Sequence, residues 1–536
     1  MIRPTRAPRS ALYHRAGGHL PDSSGLELGE RGRLGAQVEA VRTHTTSSLW
    51  AAVRAIRLGV WIVPVLAFTA VYLWRPLALG FYSDDWSGIT ESAYHGGPFS
   101  LERLVWVAQN HAYSRPLQVL QQWAFTSVLG GSTAAWQLLM AILVAVSYLL
   151  LRRFLVALGV RSPVATISAT VWLVLPWSLG YTAWPATSTV LLSLICFLVG
   201  SVALLRRHLW SSVAWFAASM LFYEAFYFQF GVILVILLAS RETRRWALTR
   251  AAPALIVLQV AIAGANRLSA HVQPAGLSKT YDRQWPSHLA RWLYTLVGTL
   301  SHAMTGPHSF ALAVIVVCSV IVLVLAAFVK ERKRRVTLLA VVLGFFLASI
   351  VIALADYQPT ALFRGSRVFV AMDVWMIAFL AVAWPDSIRR RWLRLSLVVG
   401  TCFLIIVLTL STAARTLSWH RWWQVEQTVL HAVPDEALSR LPADAAILVR
   451  SAPSVDGQPA FDYWGMASAL GCTYPATRVN GEPRPATIAH PGDQVWWDGS
   501  SLVRNGSVEA RGGELWVWTF PAARLEKVTT TGLLLE

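Results

Sequence analysis

Long apolar stretches recur along this chain, and they limit its fold more than any other feature of the sequence. An α-helix needs about 17–25 mostly apolar residues to cross the hydrocarbon core of a bilayer. One run, at 211–239, is interrupted by Glu224, and we interpret it as two short helices that turn near the glutamate. With that hairpin the sequence predicts about eleven spans. The other predicted spans are 58–79, 134–151, 163–179, 187–205, 247–265, 310–329, 336–355, 368–384 and 393–410.

The composition supports the same class of protein. Hydrophobic residues make up 55% of the 536 residues, charged residues make up only 14%, and the mean hydropathy is +0.50. Soluble proteins carry about 25% charged residues. The sequence therefore predicts an all-α polytopic membrane protein rather than a soluble enzyme.

The net charge of +18 has a one-sided distribution. More than half of the 46 lysines and arginines fall in segments that the predicted spans place on the same side of the membrane: 3–57, 152–161, 206–207, 241–250, 330–335 and 389–394. Basic loops stay in the cytoplasm, so the N-terminus is predicted inside and the C-terminal region outside a cell membrane that the chain crosses many times. The basicity is thus a topology signal, and no nucleic-acid partner is predicted.

Three regions follow from these patterns. Residues 1–57, rich in Arg, Gly and Ser, are predicted to be a disordered basic cytoplasmic tail. Residues 58–410 form a transmembrane catalytic module with a first outer loop at 80–133. Residues 411–536 contain the short strand-like segments "AAILVR", "QVWWDG", "SLVRNG" and "ELWVWTF". They predict a small α+β extracytoplasmic domain.

Ionisable side chains at the predicted outer face could carry chemistry. "GFYSDDWSGI" places Asp84 and Asp85 directly after the first span, where a carboxylate near hydrocarbon is costly. A carboxylate can accept a hydroxyl proton, and a guanidinium binds phosphate bidentately. The set suits a substrate that has both a reactive hydroxyl and a lipid-linked phosphate. Its other members are Tyr113 and Arg115 in "YSRPL", Glu224 in "LFYEAF", and Arg364 and Arg367 in "LFRGSR".

The order of these motifs along the chain resembles a family. The chain is similar in this order to the membrane glycosyltransferases of the C superfamily (GT-C). The shared features are one span, then "FYSDDW", then "YSRPL", then a glutamate at a hairpin turn and an outer arginine before a late span. That family uses polyprenyl-phosphate sugars and includes protein mannosyltransferases and the lipid A aminoarabinose transferase. The resemblance covers roughly residues 58 to 410 and implies a GT-C-like helical fold.

The resemblance also implies roles for individual residues. Asp84 or Asp85 would supply the catalytic carboxylate, and Arg115, in the same motif as Tyr113, would lie near the donor phosphate or brace the loop. Glu224 matches an acidic residue at a similar hairpin in some members. Metal use differs within the family, so a divalent ion at the two aspartates is compatible with the resemblance but not implied by it. Arg364 or Arg367 would stabilise the departing lipid phosphate.

The expected function is transfer of a sugar from a polyprenyl-phosphate donor to a hydroxyl of a glycan, lipid or protein acceptor on the outer face of the membrane, with inversion. The rival hypothesis is a transporter or flippase of lipid-linked sugars. A transporter places ionisable groups within its spans. The spans contain Glu224 and Asp373 near the outer edge, and Asp373 is expected to pair with an arginine. A scaffold that only anchors the outer domain is the third hypothesis.

Structural roles compete with the functional ones for several of these residues. The two aspartates could be a solvated loop start or a helix cap, Arg115 an interfacial anchor, and Glu224 a bridge between helices. His95 and His111 match no metal motif and are expected to be structural or solvated. The tryptophan pairs at 422–423 and 496–497 either stack on sugar rings or pack in a core.

Overall fold

The computed structural model describes residues 61–110, 115–272, 331–354, 367–384, 391–433 and, apart from 456–457, 460, 462–464, 476–477, 481 and 523, residues 435–535. The described residues belong to one compact unit. The predictions for the tail at 1–57, the span at 310–329, Tyr113, His111 and Arg364 lie outside the described residues.

Most of the described chain is helical. Proline at the first turn begins several helices, because its fixed φ suits that position and its missing N–H would have no partner there. The longer helices are Trp61–Ala78, Leu101–Asn110, Pro116–Leu129, Thr133–Ala157, Ser162–Leu173, Ser188–Leu205, Leu209–Phe222, Phe230–Ala239, Ala252–Val272, Arg332–Leu354, Val370–Ala383 and Arg391–His431. Short turns of helix are Asp85–Thr90, Glu91–Tyr94, Pro176–Ser178, Leu179–Thr182, Pro185–Thr187, Glu224–Phe226, Arg241–Trp246, Ala247–Ala251 and Asp435–Ser439.

Six helices within the described residues are long and apolar enough to cross a membrane, or seven if one bent pair is a single span. Large apolar side chains on them are exposed, such as Leu66 at 63% and Phe403 at 68%, as expected of surfaces that face lipid. Apolar helices of membrane-spanning length are therefore confirmed, while the number eleven and the orientation stay predictions. The six are Trp61–Ala78, Thr133–Ala157, Pro185–Leu205, Arg241–Leu268, Arg332–Val351 and Leu395–His431.

Three predicted spans differ from straight helices of the expected length. The one at 368–384 contains a helix of only 14 residues, Val370–Ala383. The one at 163–179 is bent by 56° between Ser162–Leu173 and Pro176–Thr182, because Pro176 cannot continue the hydrogen-bond ladder. The last one continues to His431, so the predicted boundary at 411 falls inside a 41-residue helix. Hydropathy decreases after Leu410, but buried Trp419 and Trp422 keep the helix packed beyond it.

The predicted hairpin at Glu224 is confirmed. Helix Leu209–Phe222 ends where Tyr223 adopts an extended backbone, with φ −158° and ψ 136°. A single turn, Glu224–Phe226, follows, and helix Phe230–Ala239 returns.

The C-terminal region contains two four-stranded sheets and the helix Gly465–Thr473, which confirms the small α+β region. The first sheet has the order β4-β1-β8-β9, with β1 parallel to β4 and β8, and the second has the antiparallel order β10-β5-β6-β7. The strands are β1 Ala445–Arg450, β2 Ser454–Val455, β3 Gln458–Pro459, β4 Ala486–Ile488, β5 Val495–Trp497, β6 Ser501–Arg504, β7 Ser507–Arg511, β8 Glu514–Thr519, β9 Leu525–Val528 and β10 Gly532–Leu535.

The first outer loop packs directly on this C-terminal region. Phe81, Trp86 and Ile89 share one buried core with side chains of the sheet, among them Ile447 and Trp518. The backbone also comes close: a Cβ at Gly80 would lie 2.1 Å from the Trp423 ring, so only glycine fits there. The loop is therefore held between the helices and the C-terminal sheet.

Arg103 holds the first outer loop together from within. Its buried guanidinium donates to the carbonyl oxygens of Ala93 (2.9 Å), Gly96 (2.8 Å), His95 (3.2 Å) and Thr126 (3.3 Å). Arg103, which the sequence places in a loop, thus has a structural role: it connects four backbone carbonyl groups through hydrogen bonds.

Two ionisable residues in the helices differ from expectation. Asp373 does not pair with an arginine among the described residues; its oxygens accept from Trp177 Nε1 (2.9 Å) and the Tyr181 hydroxyl (2.6 Å). Arg75 lies in the first predicted span but was not counted among the ionisable residues of the spans. It is buried, and its Nη1 donates to the Thr182 carbonyl at 3.0 Å. Neutral donors bind both oxygens of Asp373, and a carbonyl and the Thr416 hydroxyl accept from the two Nη atoms of Arg75.

Candidate functional site

A cavity of about 500 Å³ brings together residues from five parts of the chain. The first outer loop, the helix after Pro116, the 184–190 segment and the hairpin near Glu224 all contribute to it, and Arg367 completes it. We call it the charged cavity, because Asp84, Arg115 and Arg367 line it. Its lining is Asp84, Ser87, Gly88, Ile89, Asn110, Arg115, Gln118, Gln122, Trp184, Ala186, Thr187, Thr189, Val190, Tyr223 and Arg367.

The two adjacent aspartates lie in different surroundings. Asp84 is half-buried, lines the charged cavity and accepts a hydrogen bond from the Ser83 hydroxyl at 3.2 Å. Asp85 is fully buried and is not among the residues of the cavity wall. Ser83 has φ +50°, a left-handed turn directly before the short helix Asp85–Thr90.

Asp85 connects two backbone segments. One carboxylate oxygen accepts from the Tyr82 N–H at 2.8 Å, and the other accepts from the Ala186 N–H at 2.6 Å. Burial raises the pKa of Asp85 well above its usual value, and these two N–H groups oppose that shift only in part. The side chain therefore fixes the position of the 82–85 turn against the segment at 186, which forms a wall of the charged cavity.

The proline after Arg115 determines the backbone conformation of Arg115. A residue before proline avoids the helical region, and Arg115 has φ −127° and ψ 61°. Pro116 then begins helix Pro116–Leu129, so the guanidinium extends from the start of that helix. It donates to Gln118 Oε1 at 3.5 Å and lines the cavity.

Arg115 and Glu224, 109 positions apart in sequence, form a bidentate ion pair. Arg115 Nε donates to Glu224 Oε2 at 2.7 Å, and Nη2 donates to Oε1. The guanidinium also lies 4.6 Å from the ring centroid of Tyr223. Glu224 therefore bridges elements, as its structural alternative predicted, and it orients an arginine that faces the cavity.

Arg367 reaches the same cavity from the start of the late helix Val370–Ala383. Its Cζ lies 5.1 Å from the ring centroid of Trp184, in a cation–π contact that orients the guanidinium. Trp184 in turn donates from Nε1 to the Tyr82 carbonyl at 3.0 Å. Of the two outer arginines singled out in the sequence, the described one thus belongs to the charged cavity.

Sequence reasoning missed most of the neutral polar lining. Gln118 and Gln122 lie on the helix after Pro116, and Thr187 and Thr189 lie near the bend before helix Ser188–Leu205. The sequence signal was the presence of glutamines in the otherwise apolar segment "RPLQVLQQWAFTSVL". The threonines had no signal, because their neighbours form an ordinary apolar span.

Ligand-type side chains also converge at a second place. Among the described residues, oxygens of Glu91 and Glu482 and a ring nitrogen of His95 lie within 4.8 Å of one another. Glu91 is bound at the same time by Arg478, and the His95 ring stacks on Trp106 at 4.6 Å. An ion pair thus already occupies the carboxylate that a metal would need. A divalent ion at Asp84 and Asp85 is compatible with the resemblance but not implied by it, and the two carboxylates lie in different surroundings, one on the cavity wall and one buried.

Comparison with family models and with curated proteins found no match to this chain.

The geometry of the charged cavity restricts its chemistry. It combines a carboxylate, two oriented guanidinium groups, hydroxyls and carboxamides around one space. The guanidinium groups suit an anion such as a phosphate, and the carboxylate suits a hydroxyl or another proton donor. The cavity can therefore hold both ends of a reaction between an alcohol and a phosphate-bearing substrate.

Proposed function

We propose that this chain is a membrane glycosyltransferase of the GT-C type, which moves a sugar from a polyprenyl-phosphate donor to a hydroxyl acceptor outside the cytoplasmic membrane. The observation that carries the proposal is that Asp84 lines one cavity together with Arg115 and Arg367. Residue 367 is far from residues 84 and 115 in sequence. The resemblance implies a role in one reaction for Arg115, for Asp84 or Asp85, and for Arg364 or Arg367.

The proposed step is a direct displacement at the anomeric carbon. The acceptor oxygen forms the new glycosidic bond while the bond between the anomeric carbon and the phosphate oxygen breaks. The acceptor proton goes to the Asp84 carboxylate, and the bonding electrons leave with the lipid phosphate. One displacement inverts the configuration at that carbon.

The arginines have separate roles in this mechanism. Arg367 stabilises the negative charge on the departing lipid phosphate, held in place by Trp184. Arg115 is fixed by Glu224 and Tyr223 and positions the donor from the opposite wall. Since Glu224 neutralises most of its charge, Arg115 orients the phosphate more than it stabilises charge.

The lining residues of two cavities support the proposed topology. The charged cavity joins segments that the charge distribution assigns to the outer face. A different cavity is lined by Arg161, Lys333 and Arg334, which the same reasoning assigns to the cytoplasmic side. Each cavity thus collects residues of a single predicted side, in agreement with a cytoplasmic N-terminus and an extracytoplasmic C-terminal region in a multi-pass protein of the cell membrane.

The transporter hypothesis has less support. Transport needs ionisable groups that exchange partners along a path through the membrane. Asp373 and Arg75 are buried, and their hydrogen bonds to Trp177, Tyr181 and Thr182 are those of fixed structural groups.

The first prediction tests the catalytic carboxylate. We expect Asp84→Asn to lower sugar transfer from a lipid-linked donor by about 10²- to 10⁴-fold, because the amide keeps the shape but cannot accept the proton. Transfer is measured in proteoliposomes that contain purified protein, with radiolabelled polyprenyl-phosphate sugars as donors and membrane extract as the acceptor source.

The control is Asp444→Asn, the same change at an exposed aspartate of the C-terminal region. It should leave transfer unchanged. Full transfer by Asp84→Asn would reject the assignment. Movement of the lipid-linked sugar across the bilayer with no transfer by the wild type would favour the flippase.

A further inference from the structure

A second cavity, of about 330 Å³, lies where the first outer loop meets the C-terminal region. Its volume is within the range of about 300–1,000 Å³ typical of small-molecule sites. We call it the aromatic cavity, and no residue of its lining belongs to the charged cavity. Its lining is Phe81, Trp86, Thr90, Ala93, Tyr94, Gly131, Thr133, Trp423, Gln427, Cys472 and Thr473.

Aromatic rings dominate one part of this lining. Trp86 and Trp423 stack on each other with centroids 5.9 Å apart and planes 19° apart. Trp86 donates from Nε1 to Glu426 Oε2 at 3.1 Å, which fixes the orientation of its indole. Tyr94 is 45% exposed, and its hydroxyl donates to the Cys472 carbonyl at 3.2 Å. The cavity thus presents rigid ring surfaces rather than flexible apolar chains.

The remaining lining is polar and neutral. Thr133 contributes a hydroxyl and Gln427 a carboxamide. The hydroxyls of Thr90 and Thr473 already donate to the carbonyls of Trp86 and Ala469, so they are left to act as acceptors. None of the described residues that line this cavity carries a formal charge, in contrast to the charged cavity. Ring faces beside hydroxyls and an amide match the two faces of a sugar ring, whose C–H groups pack on aromatics and whose hydroxyls form hydrogen bonds.

The two cavities lie on different faces of one short helix, Asp85–Thr90. Ser87, Gly88 and Ile89 line the charged cavity, while Trp86 and Thr90 line the aromatic one. Trp86 follows Asp84 by only two residues, so a ligand in the aromatic cavity lies near the turn that carries Asp84.

We propose that the aromatic cavity binds a neutral sugar ring of the acceptor, and hence that the acceptor is a glycan of more than one residue. The identification of the bound sugar as the acceptor rests on the proposed function. The binding of a neutral oligosaccharide does not depend on it. The charged cavity binds the donor phosphate, and the aromatic cavity holds the acceptor chain so that one of its hydroxyls reaches Asp84.

The test fills the cavity from its rim. Gly131 is exposed, and a Cβ built on it meets nothing within 4 Å, so Gly131→Trp places an indole at the cavity without a backbone clash. The matched control is Gly97→Trp, the same change at an exposed glycine of the same loop that does not line the cavity. Full-length protein in nanodiscs is presented to an array of neutral gluco-, manno-, galacto- and arabino-oligosaccharides, without donor.

We expect wild type and Gly97→Trp to bind at least one neutral oligosaccharide and Gly131→Trp to bind it at least about tenfold more weakly, since the indole occupies the ring site. Gln427→Ala removes one hydrogen bond without filling the cavity, and it should weaken binding about 3- to 10-fold. This second variant keeps the test valid if Gly131→Trp does not fold.

The outcomes separate this inference from the proposed function. The inference would be overturned if the wild-type protein bound no neutral oligosaccharide. It would also be overturned if Gly131→Trp and Gln427→Ala both bound the oligosaccharide as tightly as the wild type. Asp84→Asn should retain oligosaccharide binding while losing transfer. Binding without any transfer in the wild type would reject the enzyme but leave a glycan-binding cavity.

Discussion

At the scale of single residues, the pair Asp84–Asp85 shows how neighbours in sequence acquire different functions. The carboxylate of Asp84 lines the charged cavity, whereas that of Asp85 is buried against two backbone N–H groups. The physical difference is solvent access: a buried carboxylate bound on both oxygens cannot reach a substrate. We therefore assign the chemistry to Asp84 and a structural role to Asp85.

The raised pKa of Asp85 gives a prediction about pH. Below its unfolded pKa of about 3.9, Asp85 is protonated in both states and its stabilising contribution is complete. As pH increases, the unfolded chain ionises first, so the free energy of unfolding decreases by up to about 1.4 kcal/mol per pH unit until the folded pKa is passed. Asn at this position does not titrate. We expect the stability advantage of the wild type over Asp85→Asn to shrink as pH increases from 4.

Thermal unfolding midpoints of both proteins in detergent, measured between pH 4 and pH 7, check this. At pH 4 we expect Asp85→Asn to be less stable by about 1–3 kcal/mol. The asparagine amide has only one acceptor oxygen, so one of the two backbone N–H groups faces its NH₂ group and loses its hydrogen bond. An advantage that grows with pH would show that Asp85 ionises easily in the folded protein.

At the scale of elements, the ion pair of Arg115 and Glu224 joins the start of helix Pro116–Leu129 to the hairpin after helix Leu209–Phe222. Both side chains are mostly buried, at 15% and 18% exposure. Removing one partner leaves the other charge poorly solvated, which is costlier than removing both.

A double-mutant cycle measures that coupling. We expect Arg115→Ala and Glu224→Ala each to destabilise the protein by about 1–3 kcal/mol. The double variant should cost less than the sum by about 1 kcal/mol or more. Unfolding is followed by thermal or detergent denaturation, and Arg115→Lys serves as the variant that keeps the charge but loses bidentate geometry. Additive losses would mean that the pair contributes nothing as a pair.

At the scale of the whole molecule, the C-terminal region completes the fold of the first outer loop. Phe81, Trp86 and Ile89 share a core with Ile447 and Trp518, and the Glu91 carboxylate pairs with Arg478. The loop that carries Asp84 thus depends on a region about 350 residues later in the chain.

Deletion of residues 432–536 tests this dependence. We expect residues 81–94 to exchange backbone hydrogens faster and sugar transfer to be lost, although Asp84 and both arginines remain, because the loop loses the apolar surface it packs on. The control deletes only 532–536, an edge strand away from that core, and should leave exchange in the loop unchanged. Unchanged exchange after the large deletion would show that the loop folds on the helices alone.

The amino-acid pattern alone determined the local structure of this protein. Apolar length predicted spans at 134–151, 187–205, 247–265 and 336–355, and the described residues of all four are helical. The interrupting glutamate predicted the hairpin, and short strand-like segments with turns between them predicted β1, β5, β6 and β8. These features depend on neighbours in sequence, which patterns report directly. Only the tertiary structure decided which aspartate faces the cavity, that Glu224 pairs with Arg115, that Asp373 is bound by Trp177 and Tyr181, and that the C-terminal sheet packs on the first loop. Burial and partners of a side chain are set by segments distant in sequence, and no local pattern records them.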